Sequence, residues 1–200
     1  MTHLAISSVA ISTSPEVLEN IRDPDCNLSI WEREALQGIA GLLDSEPRDV
    51  RLSTSVQELP AQLRLAMAAS GFEMSHAASK LIADVDQLAG RYAKTLGLDE
   101  LEVRLEIVTT DSCRKWHADY VKARLITTYV GTGTQWLDER AAEQVKAGQD
   151  PQQIGQMGTG DVGLFKGKLA TNSPAIHRSP PISDTGEVRL LLVLNPVEQD

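Results

Sequence analysis

The 200-residue sequence contains only two cysteines, Cys26 and Cys113, and so lacks the dense cysteine framework of small secreted domains. It also lacks an apolar run long enough to cross a membrane. Its first residues lack the basic and apolar regions that together make a signal peptide. These absences argue against a disulfide-stapled scaffold and a membrane-spanning protein, and they predict a cytoplasmic location.

No segment carries a block of like charges, and the formal net charge of the chain is -9. Because a negative protein is repelled by nucleic acid phosphates and by anionic lipid surfaces, we expect neither nucleic acid nor a membrane among its partners. Aromatic residues make up only 4% of the chain, so Trp116 and Trp136 are expected to anchor the core rather than to stack on a substrate. Composition leaves open the oligomeric state and whether the substrate is a small molecule or a protein.

The length of the chain fits a single domain with a substantial core. Its first part, residues 1–97, is predicted to be mainly helical. Ser14-Pro15-Glu16 has the form of a helix start, with a candidate cap, a proline at the first helical position and an acid in the first turn. Apolar residues at helical spacing predict further helices over 28–43, 59–74 and 75–96.

After Gly97 the pattern changes to short β-type runs separated by turn residues, which is typical of a jelly roll or barrel. The predicted strands are 101–108, 124–130, 134–137, 161–165, 175–178 and 188–194. An insert at 138–158, helical or loop-like over 138–149, interrupts this half. Such an insert serves either as a lid that sets specificity or as a surface elaboration.

His117 and Asp119 stand two residues apart, and His177 follows in a later β segment. A strand points alternate side chains to one face, which would place His117 and Asp119 roughly 6 to 7 Å apart at their backbones. Two imidazoles and one carboxylate form the facial arrangement used by non-haem Fe(II) oxygenases, with open positions opposite the protein ligands. The pattern therefore predicts an iron site.

Arg189 interrupts an otherwise apolar run at 188–195. A guanidinium buried there without an anionic partner would be strongly unfavourable, so we expect it to meet a carboxylate. Arg178 is the competing basic residue. Because it directly follows His177, a regular strand would point it away from the histidine.

Five segments of the C-terminal half resemble the Fe(II)/2-oxoglutarate-dependent dioxygenases, especially the prolyl-hydroxylase-like branch: His117-Ala-Asp119, Arg124-Leu-Ile-Thr127-Thr-Tyr129, Gly160-Asp-Val-Gly-Leu-Phe165, His177-Arg-Ser-Pro-Pro and Gly186-Glu-Val-Arg189. The whole chain also resembles an uncharacterised bacterial family of unknown function, through the stretch Cys113-Arg-Lys-Trp116-His117-Ala-Asp119. The first resemblance implies an α+β fold. Its core would be a double-stranded β-helix (jelly roll, cupin-like) in residues 98–200, with the N-terminal helices packed on it.

The same resemblance implies that His117, Asp119 and His177 bind Fe(II) and that 2-oxoglutarate chelates this metal. The reaction would be the hydroxylation of a substrate, unknown here, with succinate and CO₂ as co-products. The cofactor supplies such chemistry, while the protein supplies orientation and exclusion of water.

Arg189 would bind the far carboxylate of 2-oxoglutarate, since a planar guanidinium can donate two charge-assisted hydrogen bonds to one carboxylate. The resemblance also assigns a hydroxyl on that carboxylate to Tyr129 or, as the second choice, to Thr127. These three residues form the predicted cosubstrate site.

Cys113 lies four residues before His117 and raises an alternative. Together with His117, Asp119 and His177 it would make a four-ligand Zn(II) site, which fits a non-enzymatic zinc-handling protein. A buried, inert thiol is the more ordinary role for this cysteine. A third possibility is a β-helix scaffold for protein interaction, with structural histidines.

Overall fold

The computed structural model describes residues 8–197, so the first seven residues, on which the argument against a signal peptide rests, lie outside it. The strands are β1 Val9–Ser12, β2 Leu28–Trp31, β3 Val50–Ser55, β4 Glu100–Val108, β5 Ala123–Val130, β6 Gln135–Trp136, β7 Gly155–Gln156, β8 Val162–Lys166, β9 His177–Arg178 and β10 Arg189–Pro196. The α-helices are α1 Leu59–Ala69, α2 His76–Leu96 and α3 Glu139–Lys146, and 3-10 helices span Pro15–Arg22 and Ile39–Leu43.

The long helix α2 follows from clear local signals. The Ser75 hydroxyl accepts a hydrogen bond from the Ala78 amide at its start, and Gly97 ends it in the left-handed conformation, φ 69°. Its apolar stripe, including Leu81 and Leu88, is buried. The helices predicted over 59–74 and 75–96 are confirmed as α1 and α2. The helix start at Ser14 is also confirmed, although the helix is of the 3-10 type.

The helix predicted over 28–43 is wrong. Residues Leu28–Trp31 form β2, whose first three residues are all buried, and only Ile39–Leu43 turns into a short 3-10 helix. A strand buried on both faces reads as a continuous apolar run, which periodicity does not separate from a buried helix. The mainly helical first half of the chain therefore also contributes three strands, β1, β2 and β3, to the sheet.

The main sheet has seven strands in the order β1-β2-β8-β5-β10-β4-β3. All its neighbours are antiparallel except β1 and β2. One face of β10, with Leu190, Leu192 and Leu194, joins the core under the helices. On the opposite face Leu191 packs with Ile126 in a second apolar cluster, which also includes residues of the small sheet region.

The small sheet has the order β7-β6-β9, and Trp136 pairs with His177 in it. Trp136 packs against the second apolar cluster, which confirms its predicted core role. Trp116 is half-buried, and the Arg178 guanidinium lies 4.1 Å from the centre of its ring. The molecule is thus a mixed α/β fold with a large antiparallel sheet and a small sheet, which meet at the second apolar cluster.

The insert contains α3, capped by Asp138, whose carboxylate accepts a hydrogen bond of 2.7 Å from the Ala141 amide. Its later part supplies β7 to the small sheet. Among the helices of residues 8–197, none combines the length and apolar character needed to cross a membrane.

Candidate metal centre

The two histidines of the predicted site meet through their backbones. His117 and His177 form an antiparallel bridge, in which each amide donates to the other's carbonyl at 3.1 and 2.9 Å. Asp119 lies in the stretch that leads into β5, and its carbonyl accepts a hydrogen bond from the Lys168 amide. The candidate ligand atoms of these three residues lie within 4.8 Å of one another. The structure therefore brings together residues that the sequence separates by 58 positions (177 − 119).

Both imidazoles are oriented by backbone carbonyls. Nδ1 of His117 lies 2.8 Å from the Lys115 carbonyl oxygen, and Nδ1 of His177 lies 3.3 Å from that of Ala175. A carbonyl oxygen only accepts, so these contacts favour the tautomer with the proton on Nδ1, which makes the Nε2 lone pair available to a metal. This is the tautomer that a metal ligand needs.

The Asp119 carboxylate has two differently placed oxygens. Oδ1 accepts a hydrogen bond of 2.7 Å from Arg124 Nη1. Oδ2 is buried and has no hydrogen-bond partner, although His177 Nε2 lies 3.2 Å away. A buried carboxylate oxygen that faces imidazole lone pairs is stabilised when a cation lies between them.

Charge in this cluster suits a cation at neutral pH. Burial lowers the pKa of the His117 imidazole, so this ring is held neutral. Burial by itself would raise the pKa of the Asp119 carboxyl, but interactions with His177, Arg124 and His117 outweigh it and the pKa is lowered. Metal ligation requires these protonation states, a neutral imidazole and an ionised carboxylate.

Arg189 is fully buried, so its charge requires hydrogen-bond partners inside the protein. Its Nε donates to the Thr132 carbonyl at 2.6 Å and its Nη1 to the Ser179 hydroxyl at 3.0 Å. Burial lowers its pKa to about 10, which leaves it charged at neutral pH. Its Nη2 is buried without a partner. The neighbouring Glu187 carboxylate is bound to the amide and hydroxyl of Thr132 instead.

The hydroxyls of Tyr129 and Thr127 bond to groups other than Arg189, and their assignment to the cosubstrate carboxylate stays a prediction. The Tyr129 hydroxyl donates to Asp84 on α2 at 2.6 Å, and the Thr127 hydroxyl donates to the Gly160 carbonyl at 3.3 Å. Both side chains lie on the helix-covered face of β5. Arg124 and Asp119 lie on the other side, so alternation along the strand separates the two groups.

Arg178 stays outside the cluster, as expected from its position next to His177. Its Nε donates to the Gln135 side chain at 2.7 Å, and its guanidinium covers the Trp116 ring. Cys113 is exposed, so the expectation of a buried thiol is wrong. It occupies a turn with φ 57° and is absent from the metal-ligand cluster of the described residues. Cys113 is therefore not brought into a four-ligand set among the described residues, and the zinc alternative stays a prediction.

Sequence reasoning did not single out Arg124, Ser179 or Asn195 as site residues. Arg124 contacts Asp119, Ser179 contacts Arg189, and Asn195 accepts a hydrogen bond of 2.7 Å from Arg124 Nε. Arg124 and Asn195 carry the signal that identified Arg189, namely a polar residue in an apolar strand. Ser179 has no such signal.

Only two buried side-chain polar atoms within residues 8–197 lack a hydrogen-bond partner: Asp119 Oδ2 and Arg189 Nη2. The first is an acceptor suited to a cation, and the second is a charged donor suited to an anion. Asp119 Oδ2 lies 3.2 Å from His177 Nε2, and Arg189 donates through Nη1 to Ser179, two residues after His177 in the chain. The residues present therefore fit both a divalent metal and a carboxylate ligand.

A family model described as "Protein of unknown function (DUF1826)" matches residues 12–195, whereas no curated protein gives a significant match. Similar solved structures include a Pseudomonas putida prolyl-4-hydroxylase, with 12% identity, a TM-score of 0.48 and coverage of 91% of this chain and 98% of that one. Streptomyces hygroscopicus HygX, solved with nickel and 2-oxoglutarate or with iron, has 13% identity, a TM-score of 0.47 and coverage of 92% and 87%. A full-length Neurospora crassa protein in complex with α-ketoglutarate has 12% identity, a TM-score of 0.44 and coverage of 96% and 85%.

The family model confirms the resemblance to an uncharacterised family. For the solved structures the TM-scores lie below 0.5 and the identities are 12 to 13%. The assignment of an activity therefore rests on the residues of this chain.

Proposed function

The chain belongs to the DUF1826 family of proteins of unknown function, and we propose that it is an Fe(II)- and 2-oxoglutarate-dependent oxygenase. The observation that carries this proposal is the pair of buried atoms without partners, Asp119 Oδ2 and Arg189 Nη2. Fe(II) satisfies the first and a carboxylate of 2-oxoglutarate satisfies the second. A metal alone would leave the buried guanidinium nitrogen of Arg189 unsatisfied.

Fe(II) would be held by Nε2 of His117, Nε2 of His177 and Oδ2 of Asp119. Two imidazoles and one carboxylate suit a non-haem Fe(II) site with positions left for other ligands. The carbonyls of Lys115 and Ala175 fix the ring orientations, a form of support that ligating histidines commonly have.

Arg189 would bind the far carboxylate of 2-oxoglutarate through Nη2. Its Nε and Nη1 are already committed to Thr132 and Ser179, so the guanidinium is held in place before the ligand arrives. Such preorganisation reduces the entropy lost on binding. When bound together with O₂ as the oxidant, the metal and cosubstrate would supply the oxidative chemistry, in which one oxygen atom of O₂ goes to succinate, with release of CO₂, and the other to the hydroxylated substrate.

Apolar side chains next to the cluster limit the access of water. The Phe165 ring lies 4.7 Å from that of His177, and Phe165 packs with Ile126 and Leu191 in the apolar cluster between the sheets. We assign the two sheets to the two halves of a double-stranded β-helix, since a large and a small sheet with a site at one end is the arrangement that the resemblance implies.

The substrate, a small molecule or a protein, would enter beside the cluster. The net charge of -9 continues to argue against nucleic acid. Both cysteines are free, which supports the proposed cytoplasmic location, since thiols stay reduced there.

Anaerobic absorption spectroscopy tests the proposed activity. Metal-stripped protein receives Fe(II) and then 2-oxoglutarate, and a weak visible charge-transfer band is expected only when both are present. The His117→Ala variant should lose the band and the metal, whereas Arg178→Ala should keep both. Absence of the band in the native sequence, or an unchanged metal affinity in His117→Ala, would reject the proposal.

A further inference from the structure

A line of polar side chains crosses three neighbouring strands of the main sheet and ends at Asp119. Arg124 lies on β5, Asn195 on β10 and Glu102 on β4, and these strands are adjacent in the order β5-β10-β4. Asn195 and Glu102 are direct partners in the strand register. All three side chains lie on the face opposite the helices, and we refer to them as the polar ladder.

The hydrogen bonds along the polar ladder start at Arg124, which donates both to Asp119 and to Asn195. Arg124 donates from Nη1 to Asp119 Oδ1 at 2.7 Å and from Nε to Asn195 Oδ1 at 2.7 Å. Asn195 then donates from Nδ2 to Glu102 Oε1 at 3.0 Å. Because arginine can only donate and a carboxylate can only accept, the amide of Asn195 has one orientation that satisfies both neighbours.

Glu102 is fixed at the outer end of the polar ladder. Arg104 donates to its Oε1, and Arg51 donates to its Oε2 at 2.6 Å. Burial raises its pKa, but the hydrogen bonds from Arg104, Asn195 and Arg51 outweigh this effect and hold the pKa at about 2. The Arg51 side chain is 66% exposed, whereas Asn195 is 4% exposed. The polar ladder therefore connects an ion pair near the surface to a buried ligand.

We propose that Asn195 is a positioning residue, which holds Arg124 so that Asp119 presents a single oxygen, Oδ2, to the metal. This inference rests on the proposed Fe(II) site and adds residues that the His-Asp-His pattern does not contain. Arg124 occupies Oδ1 and leaves Oδ2 free. Asn195 in turn fixes the torsions of a long side chain that has several rotamers when held by one bond.

The affinity for Co(II) tests the positioning role of the polar ladder. It is measured by competition with a chelator, on metal-free, full-length protein without 2-oxoglutarate. Asn195→Leu removes both amide bonds at similar side-chain size. We expect it to weaken Co(II) binding about 10- to 100-fold, the usual effect of losing a group that supports a ligand, and to alter the Co(II) visible spectrum. Asn20→Leu is the matched control, since Asn20 is exposed in the helix Pro15–Arg22; its affinity should equal that of the native sequence.

Arg124→Lys provides a second variant that keeps the positive charge. An ammonium does not have the fork that reaches Asp119 and Asn195 together, so we expect at least a tenfold loss of Co(II) affinity. Native affinity in Arg124→Lys would mean that charge alone matters and would overturn the positioning role. Native affinity in Asn195→Leu would overturn it too, while leaving the Fe(II) site in place. If the native protein did not bind Co(II), both the proposed metal site and the positioning role of the polar ladder would be overturned.

Discussion

The guanidinium of Arg189 is fully buried, and one of its nitrogens has no hydrogen-bond partner. Its hydrogen bonding is therefore incomplete until a ligand binds. Arg189→Met should remove the charge while filling a similar volume. Since a charge-assisted hydrogen bond contributes about 1.5 to 3 kcal/mol, we expect 2-oxoglutarate affinity to fall about 10- to 100-fold. Isothermal titration with Mn(II)-loaded protein measures it.

Metal affinity should be unchanged in Arg189→Met, because Arg189 contacts none of the three candidate ligands. Arg178→Met is the matched control, since Arg178 bonds to Gln135 and covers Trp116. Equal 2-oxoglutarate affinities for the Arg189 and Arg178 variants would contradict the assignment of Arg189.

His117 should titrate below the ordinary histidine pKa of about 6.5 in the metal-free protein, because burial lowers its pKa. The sign follows directly: this imidazole stays neutral as the pH falls to 6.5 and gains its proton only at lower pH. Proton competition at His117 therefore weakens metal binding only below pH 6.5. NMR of the imidazole protons, assigned with His117→Ala, measures the midpoint, and a midpoint at or above 6.5 would refute the prediction.

The sequence allowed the convergence of His117, Asp119 and His177 to be predicted, because the first two are separated by two residues and the third lies in a β segment. The buried charge of Arg189 was predictable because this residue interrupts an otherwise apolar run at 188–195. The bonds of Tyr129 to Asp84 and of Thr127 to Gly160 could not be predicted, because a local pattern does not show which face of β5 the helices cover. A shift of one residue in the assumed alternation moves a side chain to the other face.

Between elements, Tyr129 joins β5 to α2 within a buried network. Arg33 donates two hydrogen bonds to Asp84, at 2.6 and 2.9 Å, and the Tyr129 hydroxyl donates a third at 2.6 Å. Burial and the Asp84 charge raise the pKa of Tyr129 well above its ordinary value, so the hydroxyl remains a donor. The network makes Tyr129 a structural residue.

Tyr129→Phe should therefore destabilise the fold by about 1 to 3 kcal/mol, since it removes a hydrogen bond to a buried carboxylate. Its affinity for 2-oxoglutarate should stay within about twofold of the native value, a range that marks no loss of a ligand contact. Urea unfolding and isothermal titration provide the two readouts. A tenfold loss of 2-oxoglutarate affinity without a loss of stability would restore Tyr129 to the cosubstrate site.

Element type was predictable where local signals agreed, as in α2, which has a serine cap, a long apolar stripe and a terminal glycine. It was not predictable for β2, where the neighbours β1 and β8 in the sheet decide the conformation. Such pairing joins residues that are far apart in sequence, which a local pattern does not contain.

At the scale of the molecule, the two halves of the chain share the main sheet, since β3 pairs with β4 and β2 with β8. We therefore expect a single cooperative unfolding transition, as for one domain. A metal at 100 times its dissociation constant should stabilise this unit by about 2.7 kcal/mol, which raises Tm by roughly 5 to 10 °C for a chain of this size.

Differential scanning calorimetry with and without Ni(II) measures this shift. His117→Ala serves as the control and should show no increase in Tm. Two separate transitions would contradict the single domain, and an equal Tm increase in His117→Ala would show that the metal binds elsewhere.

A crystal structure of the protein grown anaerobically with Fe(II) and 2-oxoglutarate tests the central claim most directly. We expect one metal ion bound by His117, Asp119 and His177, with the far carboxylate of 2-oxoglutarate on Arg189. A metal coordinated through Cys113, or 2-oxoglutarate bound away from Arg189, would contradict it.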